Sequence, residues 1–385
     1  MKLVAKTLYG LEKVLAMELE ALGADYVNPV NRAVVFEGDM ELLYKVNYCS
    51  RTALAFLMPV FDFKIGSKDD LYKKAFKSDW SSVMNPDTTF SIVPVINSKL
   101  FSHTGFPALV LKDAIADHFR KRTGRRPSVD TSDPQLVFNL HISNNNVNIS
   151  LDSTVVPLFR RGYRTEQGVA PLNEVLAAGI LLLSGWNGAS ALTDPMCGSG
   201  TIPIEARMMA DRIPPGKFRN FFGFTRWKNY NSDVFDKIRK ECNSRIIRSQ
   251  VIIRGSDISE KAVKQTITNI SNAGLTGAIS TGAGDFRNLK AVESNEFLVF
   301  NPPYGQRLVP GDIINLYGMI GTTLKHNFPG CKAWIITAGK ELLKYIGLKP
   351  AAGYTLFNGA IQCILSGYEL YQGSKKRRPD EITIN

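Results

Sequence analysis

The chain has 385 residues, 44% of them hydrophobic and 21% charged, with a formal net charge of +12. That length suits two or three domains, and the composition is that of a chain able to bury a core. No run approaches the roughly 20 apolar residues of a membrane helix, and charge breaks the opening MKLVAKTLYGLEKV too early for a secretory segment.

Five scattered cysteines (Cys49, Cys197, Cys242, Cys331, Cys363) show no C-x-x-C pair and no matching histidine spacing. This argues against a disulfide framework and a structural zinc, so no metal and a cytoplasmic address are expected. The charge is uneven: 18 Lys/Arg against 17 Asp/Glu in residues 1–155, but 29 against 18 in 156–385. Such an excess favours a polyanionic partner without naming it.

In chain order, GLEKVLAMELEALG reads as a helix. Leu11, Val14, Leu15, Met17, Leu19 and Leu22 form its apolar face, with Gly23 as the stop. LVAKTL and RAVVFEG flank it as strands, giving a small α+β module over residues 1–54. A second α+β module over 55–155 places the strand-like runs TTFSIVPVI, QLVFNLHIS and NVNISLDS around the amphipathic helix PALVLKDAIADHFRKR. Residues 156–170, rich in Arg and Gly, read as a linker. From 171 to 385, helices alternate with short apolar runs: ALTDP, VIIRGSD, EFLVFNPP and KAWIITA. Such runs mark parallel strands buried on both faces of a doubly wound α/β domain. YTLFNGAIQCILSGYELY, turning at Asn358-Gly359, predicts a closing antiparallel hairpin.

Four motifs carry the chemistry. Asp194-Pro195-Met196-Cys197-Gly198-Ser199-Gly200-Thr201 follows the first apolar strand and opens a helix. Glycines there let backbone N–H groups approach a cofactor beside a helix N-terminus, although several kinds of nucleotide enzyme use G-x-G and an ordinary strand-to-helix turn fits too. Pro203 breaks the G-x-G-x-x-G of a dinucleotide site. Asp257, ahead of Ile258, ends the next strand, where an acid holds ribose hydroxyls; a solvated loop aspartate is the plainer reading. Asp285-Phe286 follows AIST and offers a carboxylate to an adenine amino group.

Asn301-Pro302-Pro303-Tyr304 follows the buried strand FLVF. Two prolines remove two backbone donors, leaving the Asn301 amide oxygen and the Pro302 carbonyl as acceptors for one planar amino group. Holding both N–H bonds frees the nitrogen lone pair for attack on a methyl sulfonium, while Tyr304 stacks on the ring. Cys197 lacks a basic partner and reads as a packing residue. Trp186, Trp227 and Trp334 read as core or packing residues.

Together, residues 171–385 resemble the amino-methylating class I S-adenosylmethionine methyltransferases. That resemblance implies a Rossmann-like domain with a mostly parallel seven-stranded sheet and a C-terminal antiparallel hairpin. It assigns catalysis to Asn301, Pro302, Pro303 and Tyr304. Cofactor binding falls to Asp194, Pro195, Cys197, Gly198, Ser199, Gly200, Thr201, Asp257, Ile258, Asp285, Phe286 and Asn301. DNA adenine, protein glutamine and RNA guanine-N2 enzymes share the box.

DAIADHFRKRTGRRPSVD, VNISLDS and PLFRRGYR look like a THUMP domain and its linker, behind a ferredoxin-like piece. With IPPGKFRNFFGFTRW, the chain is similar to the THUMP-containing guanine-N2 RNA methyltransferases, in particular the RlmL-like enzymes of 23S rRNA. RNA contacts are then expected from Arg120, Lys121, Arg122, Arg125, Arg126, Arg160, Arg161 and Arg164, with the linker arginines and Asn173 facing either cofactor or RNA. The family's Asp-x-Ser-Gly-Glu stretch reads Asp152-Ser153-Thr154-Val155 here. A tRNA guanine-N2 enzyme and an RNA-binding assembly factor without turnover are the alternatives, the intact box counting against the second.

Overall fold

The computed structural model describes residues 1–164, 171–303 and 310–371. They form two compact units. The first comprises Met1–Thr7, Leu15–Leu158 and Arg219–Ser244; the second comprises Leu8–Val14 and the described residues of Phe159–Phe218 and Arg245–Asn385.

The first unit is built on one seven-stranded sheet of β1 (Lys2–Lys6), β2 (Asp25–Val30), β3 (Ala33–Glu37), β4 (Ala55–Lys64), β5 (Phe90–Asn97), β6 (Leu136–Ser143) and β7 (Asn146–Asp152). Its order is β2-β3-β1-β4-β7-β6-β5. The boundary expected at residue 55 is where β4 begins. β4 pairs with β1 on one side and β7 on the other, so a single sheet runs through both expected α+β modules.

Helix α1 (Glu12–Leu22) ends at Gly23, whose φ of +102° only glycine adopts freely. Its buried face is Leu15, Ala16 and Leu19. Met17, expected on that face, is instead 70% exposed, because one residue beyond Ala16 turns about 100° away. Two short helices that the sequence analysis did not single out, α2 (Met40–Cys49) and α3 (Lys68–Lys77), carry side-chain N-caps from Asp39 and Ser67. α4 (Phe106–Thr123) packs on α3 and stops at Gly124, φ +72°.

The inserted segment 219–244, which contains helix α7 (Ser232–Ser244), packs within this first unit. Tyr44 of α2 lies 4.5 Å from the Phe224 ring and 5.9 Å from Phe235. The Cys49 and Cys242 sulfurs stand 3.1 Å apart.

The second unit holds the expected Rossmann-like sheet, with β8 (Leu192–Asp194), β9 (Ile253–Asp257), β10 (Ser280–Ala283), β11 (Phe297–Phe300), β12 (Lys332–Thr337), β13 (Ala352–Asn358) and β14 (Ile361–Glu369). The order is β10-β9-β8-β11-β12-β14-β13. The first five are parallel, and the β13–β14 hairpin closes the sheet with β14 antiparallel to β12. The hairpin turns at Asn358-Gly359, with Gly359 at φ +64°. Every residue of β8 and β11 is buried, as strands covered on both faces require. Helices α5 (Glu174–Leu183), α6 (Thr201–Ala210), α8 (Glu260–Asn272) and α9 (Pro310–Asn327) complete the unit. Trp186, Trp227 and Trp334 are buried as expected. Among the described residues, no helix is long and apolar enough to cross a membrane.

Candidate active site

In an open parallel sheet, ligands bind beyond the carboxyl ends of the strands. Here the residues that leave β8, β9, β10 and β11 line one cavity of about 550 Å³, within the roughly 300–1,000 Å³ of small-molecule sites.

The turn after β8 is shaped by two left-handed glycines, Gly198 at φ +55° and Gly200 at φ +82°. A Cβ on Gly200 would stand 2.7 Å from Thr266 Cγ2. Gly200 caps α6 without a side-chain hydrogen bond, so the first-turn N–H groups of that helix keep their anion-binding character. Helix α8 buttresses the turn. Thr266 Oγ1 donates to the Gly198 carbonyl at 2.8 Å and Asn269 Nδ2 to the Ser199 carbonyl at 2.9 Å.

Asp257 faces this turn. Its Oδ2 accepts from Gly198 N–H at 3.0 Å and its Oδ1 from Ser259 N–H at 2.9 Å. Asp194 is 2% exposed; burial, with the Asp257 charge adding to it, raises its carboxyl well above the usual range. Asp285 pairs with Arg287, and this hydrogen-bonded guanidinium holds its carboxyl below the usual range. The Phe286 ring packs in the core, 5.7 Å from Phe300.

At the end of β11, Asn301 lines the cavity with a buried Oδ1 that has no hydrogen-bond partner among the described residues. A buried unmet acceptor costs about 1–3 kcal/mol, so it marks a place where a ligand donor is missing.

Of the residues expected at the site, Asp194, Pro195, Cys197, Gly198, Ser199 and Thr201 line the cavity. So do Asp257, Ile258, Asp285, Phe286, Asn301 and Pro303. Gly200 shapes the turn without lining the cavity, and Pro302 is buried away from it. Tyr304 lies outside the described residues. Sequence reasoning missed Leu172, Gln265, and Asp312 and Asn315 of α9. The last two sit at i and i+3 just after the box, a helical spacing that puts them on one face.

Arg120, Lys121, Arg122, Arg125 and Arg126 are exposed at and beyond the end of α4. Arg120 pairs with Asp117, Arg122 with Asp79 and Arg125 with Asp87. Arg160 is exposed as well.

Arg161 corrects the expectation of an RNA contact. It is 1% exposed, and its guanidinium spends itself on Glu205 at 3.3 Å, a partner 44 residues away that linker composition does not reveal. Arg164 donates to Thr201 Oγ1 at 2.6 Å and to the Leu172 carbonyl at 3.1 Å, and pairs with Glu174 at 3.4 Å. Its contacts are therefore with walls of the cavity. Asn173 caps α5, its Oδ1 accepting from Val175 and Leu176 N–H. Cys197 is buried, and desolvation, with Asp194 next, pushes its thiol far up, which suits a packing role. Among the described residues, no group of His, Cys, Asp or Glu is placed to hold a metal ion.

Three family models match in series: an RlmL ferredoxin-like domain over residues 2–54, a THUMP domain over 66–152 and an RMKL-like methyltransferase domain over 161–366. The protein slr0064 of Synechocystis sp. is 37% identical, over 94% of this chain and 95% of that one. The ribosomal RNA large subunit methyltransferase K/L of Methylococcus capsulatus is 37% identical over 94% of this chain, and that of Syntrophotalea carbinolica 36% over 94%. The chain spans about half the length of those two K/L relatives, 50% and 52%. The crystal structure of SMU.472 complexed with SAH superposes with a TM-score of 0.88 at 27% identity, covering 97% of this chain and 99% of that one. The THUMP match, the ordered cavity at the strand ends and these relatives agree: the chain belongs to the RMKL-like methyltransferase family.

Proposed function

We propose that the protein transfers a methyl group from S-adenosylmethionine to the exocyclic N2 amine of a guanosine in large-subunit (23S) rRNA, acting in the cytoplasm. The observation that carries this reading is the buried, unpartnered Asn301 Oδ1 on the wall of the cavity. Large-subunit rRNA is favoured as substrate by the K/L relatives and the THUMP match.

The residues fit the cofactor. The glycine turn and the start of α6 would accept its methionine part, the Asp257 carboxylate would take ribose hydroxyls, and Asp285 would accept from an adenine amino group in exchange for Arg287. Bound there, the cofactor supplies an electrophilic methyl on a sulfonium.

The remaining work belongs to the chain. Asn301 Oδ1 accepts one N–H of the target amine; Pro302, whose carbonyl is expected to take the other, is buried and does not line the cavity. The nitrogen, whose lone pair is otherwise shared with the ring, is then held toward sp3 for in-line attack. The family resemblance gives base stacking to Tyr304, which lies outside the described residues. Catalysis is positioning and electrostatics without a strong general base. A stacked guanosine must leave its helix to reach Asn301.

Asn301→Ala tests this. Loss of one preorganised polar contact at the reacting atom lowers kcat by about 100-fold or more, with RNA affinity nearly unchanged. Unimpaired methylation by the variant would remove Asn301 from the reaction.

A further inference from the structure

A second cavity, of about 490 Å³, lies wholly within the first unit, where the inserted segment meets β4 and β7. Met58, Val60 and Leu151 give it an apolar wall, and Ser82, Lys228 and Asn229 are its exposed polar residues. Val83 and Trp227 complete the lining, and the Trp227 indole is the anomaly. Trp80 and Trp186, the two most deeply buried tryptophans, donate their Nε1–H to carbonyls, Trp80 to Ala75 and Trp186 to Ser190. Trp227 is 5% exposed, yet its Nε1–H has no partner among the described residues. Phenylalanine would fill that space without a stranded donor, so the indole points to an acceptor that arrives from outside.

The surroundings indicate the kind of ligand. Of the cations in residues 219–230, Arg219 donates to the Val156 and Pro157 carbonyls and Arg226 pairs with Asp133, and the Phe222 and Phe224 rings are buried in the core, so the charge at the cavity is that of Lys228. Lys228 has no acidic side chain within 4.0 Å among the described residues. Asn229 offers both a donor and an acceptor. An apolar slot with one fixed donor, an amide and a free cation matches an unpaired nucleotide: the base in the slot, a ring or carbonyl acceptor on the indole, the phosphate on Lys228.

We propose that this cavity receives an unstacked nucleotide of the RNA substrate, distinct from the one that is methylated. The proposal rests on the RNA-methyltransferase reading above. It places sequence reading in the first unit, with the inserted segment 219–244 contributing, and unstacked bases are the usual targets of specific RNA recognition.

The test uses the full chain and an unmodified large-subunit rRNA transcript, with affinity measured across salt and SAH binding measured in parallel. Ser82→Trp, a change at an exposed position that fills the mouth, raises the RNA Kd about tenfold or more, equivalent to about 1.4 kcal/mol. Trp227→Phe, which keeps the ring and removes the donor, raises it several-fold. Lys228→Gln lowers the slope of log K against log salt by about one. SAH binding stays at the wild-type value in all three. Wild-type RNA affinity and salt slope in all three variants would overturn the pocket while leaving the methyltransferase reading intact. Failure of the wild-type protein to bind or methylate the transcript would overturn both.

Discussion

The assignment of Arg161 to the fold rather than to RNA has a measurable consequence. Arg161 and Glu205 are 1% and 0% exposed, joined at 3.3 and 3.4 Å, and the Tyr163 hydroxyl also donates to Glu205 at 3.2 Å. Arg161→Met keeps an apolar stem of similar length but strands the Glu205 carboxylate. Breaking a buried ion pair in this way costs about 3–5 kcal/mol. At about 2–4 °C per kcal/mol for a unit of 150–250 residues, the thermal midpoint falls by roughly 6–20 °C. Glu205→Gln added to Arg161→Met removes the stranded charge and keeps an acceptor for Tyr163, so the double variant recovers a large part of the loss. Differential scanning fluorimetry gives the midpoints, and filter binding gives RNA affinity on the same preparations. An unchanged midpoint together with weakened RNA binding by Arg161→Met would refute the assignment and return this arginine to the RNA surface.

Three further outcomes follow from the same unit. Gly200→Ala places a side chain at φ +82° and 2.7 Å from Thr266 Cγ2; the left-handed backbone alone costs about 1–2 kcal/mol. SAH affinity should fall by about tenfold or more, with partial recovery on adding Thr266→Ser, whereas wild-type titration curves would show that the turn tolerates a side chain. Burial lifts the Glu174 carboxyl to about 7 against the pull of Arg164, while in the unfolded chain it ionises near about 4.3. Between those values the folded state holds a proton that the unfolded state has released, so stability is full below the lower pH and declines as pH rises to about 7. Denaturant midpoints taken from pH 5 to 8 should show that decline in the parent and a shallower one in Glu174→Gln; identical slopes would place the carboxyl elsewhere. Cys197→Ala should keep methyl transfer within a few-fold, because burial disfavours the thiolate; abolished turnover with intact SAH binding would make the thiol chemical.

The parts of the molecule that were legible in the sequence are those where a local pattern determines the outcome. FLVF and WIIT read as parallel strands because they are buried on both faces, and Asn358-Gly359 marks the hairpin because a tight turn needs positive φ. Helix α3 escaped notice because it buries only Leu71 and Ala75, too few positions for a periodic signal. Arg161 and Arg164 were misread or left open because their partners Glu205, Thr201 and Glu174 come from α5 and α6, and only the fold brings them together. Phe222, Phe224 and Phe235 pack tilted or edge-on against Tyr44 and Tyr48, contacts about 180 residues apart in sequence that no local pattern reveals. At the cavity, the motif residues were legible because they follow strand ends, whereas Asp312 and Asn315 lie on α9, whose apolar stripe of Ile313, Tyr317, Ile320 and Leu324 marks its core face and not its cavity face.

The central claim is the chemical identity of the product. The direct measurement is transfer of labelled methyl from S-adenosylmethionine to large-subunit rRNA and, separately, to tRNA, both from cells lacking this gene, followed by digestion to nucleosides. N2-methylguanosine in the rRNA alone is the predicted result. The same nucleoside in tRNA alone would contradict the substrate. N6-methyladenosine, or no incorporation by a protein that binds SAH, would contradict the guanine-N2 chemistry assigned to Asn301.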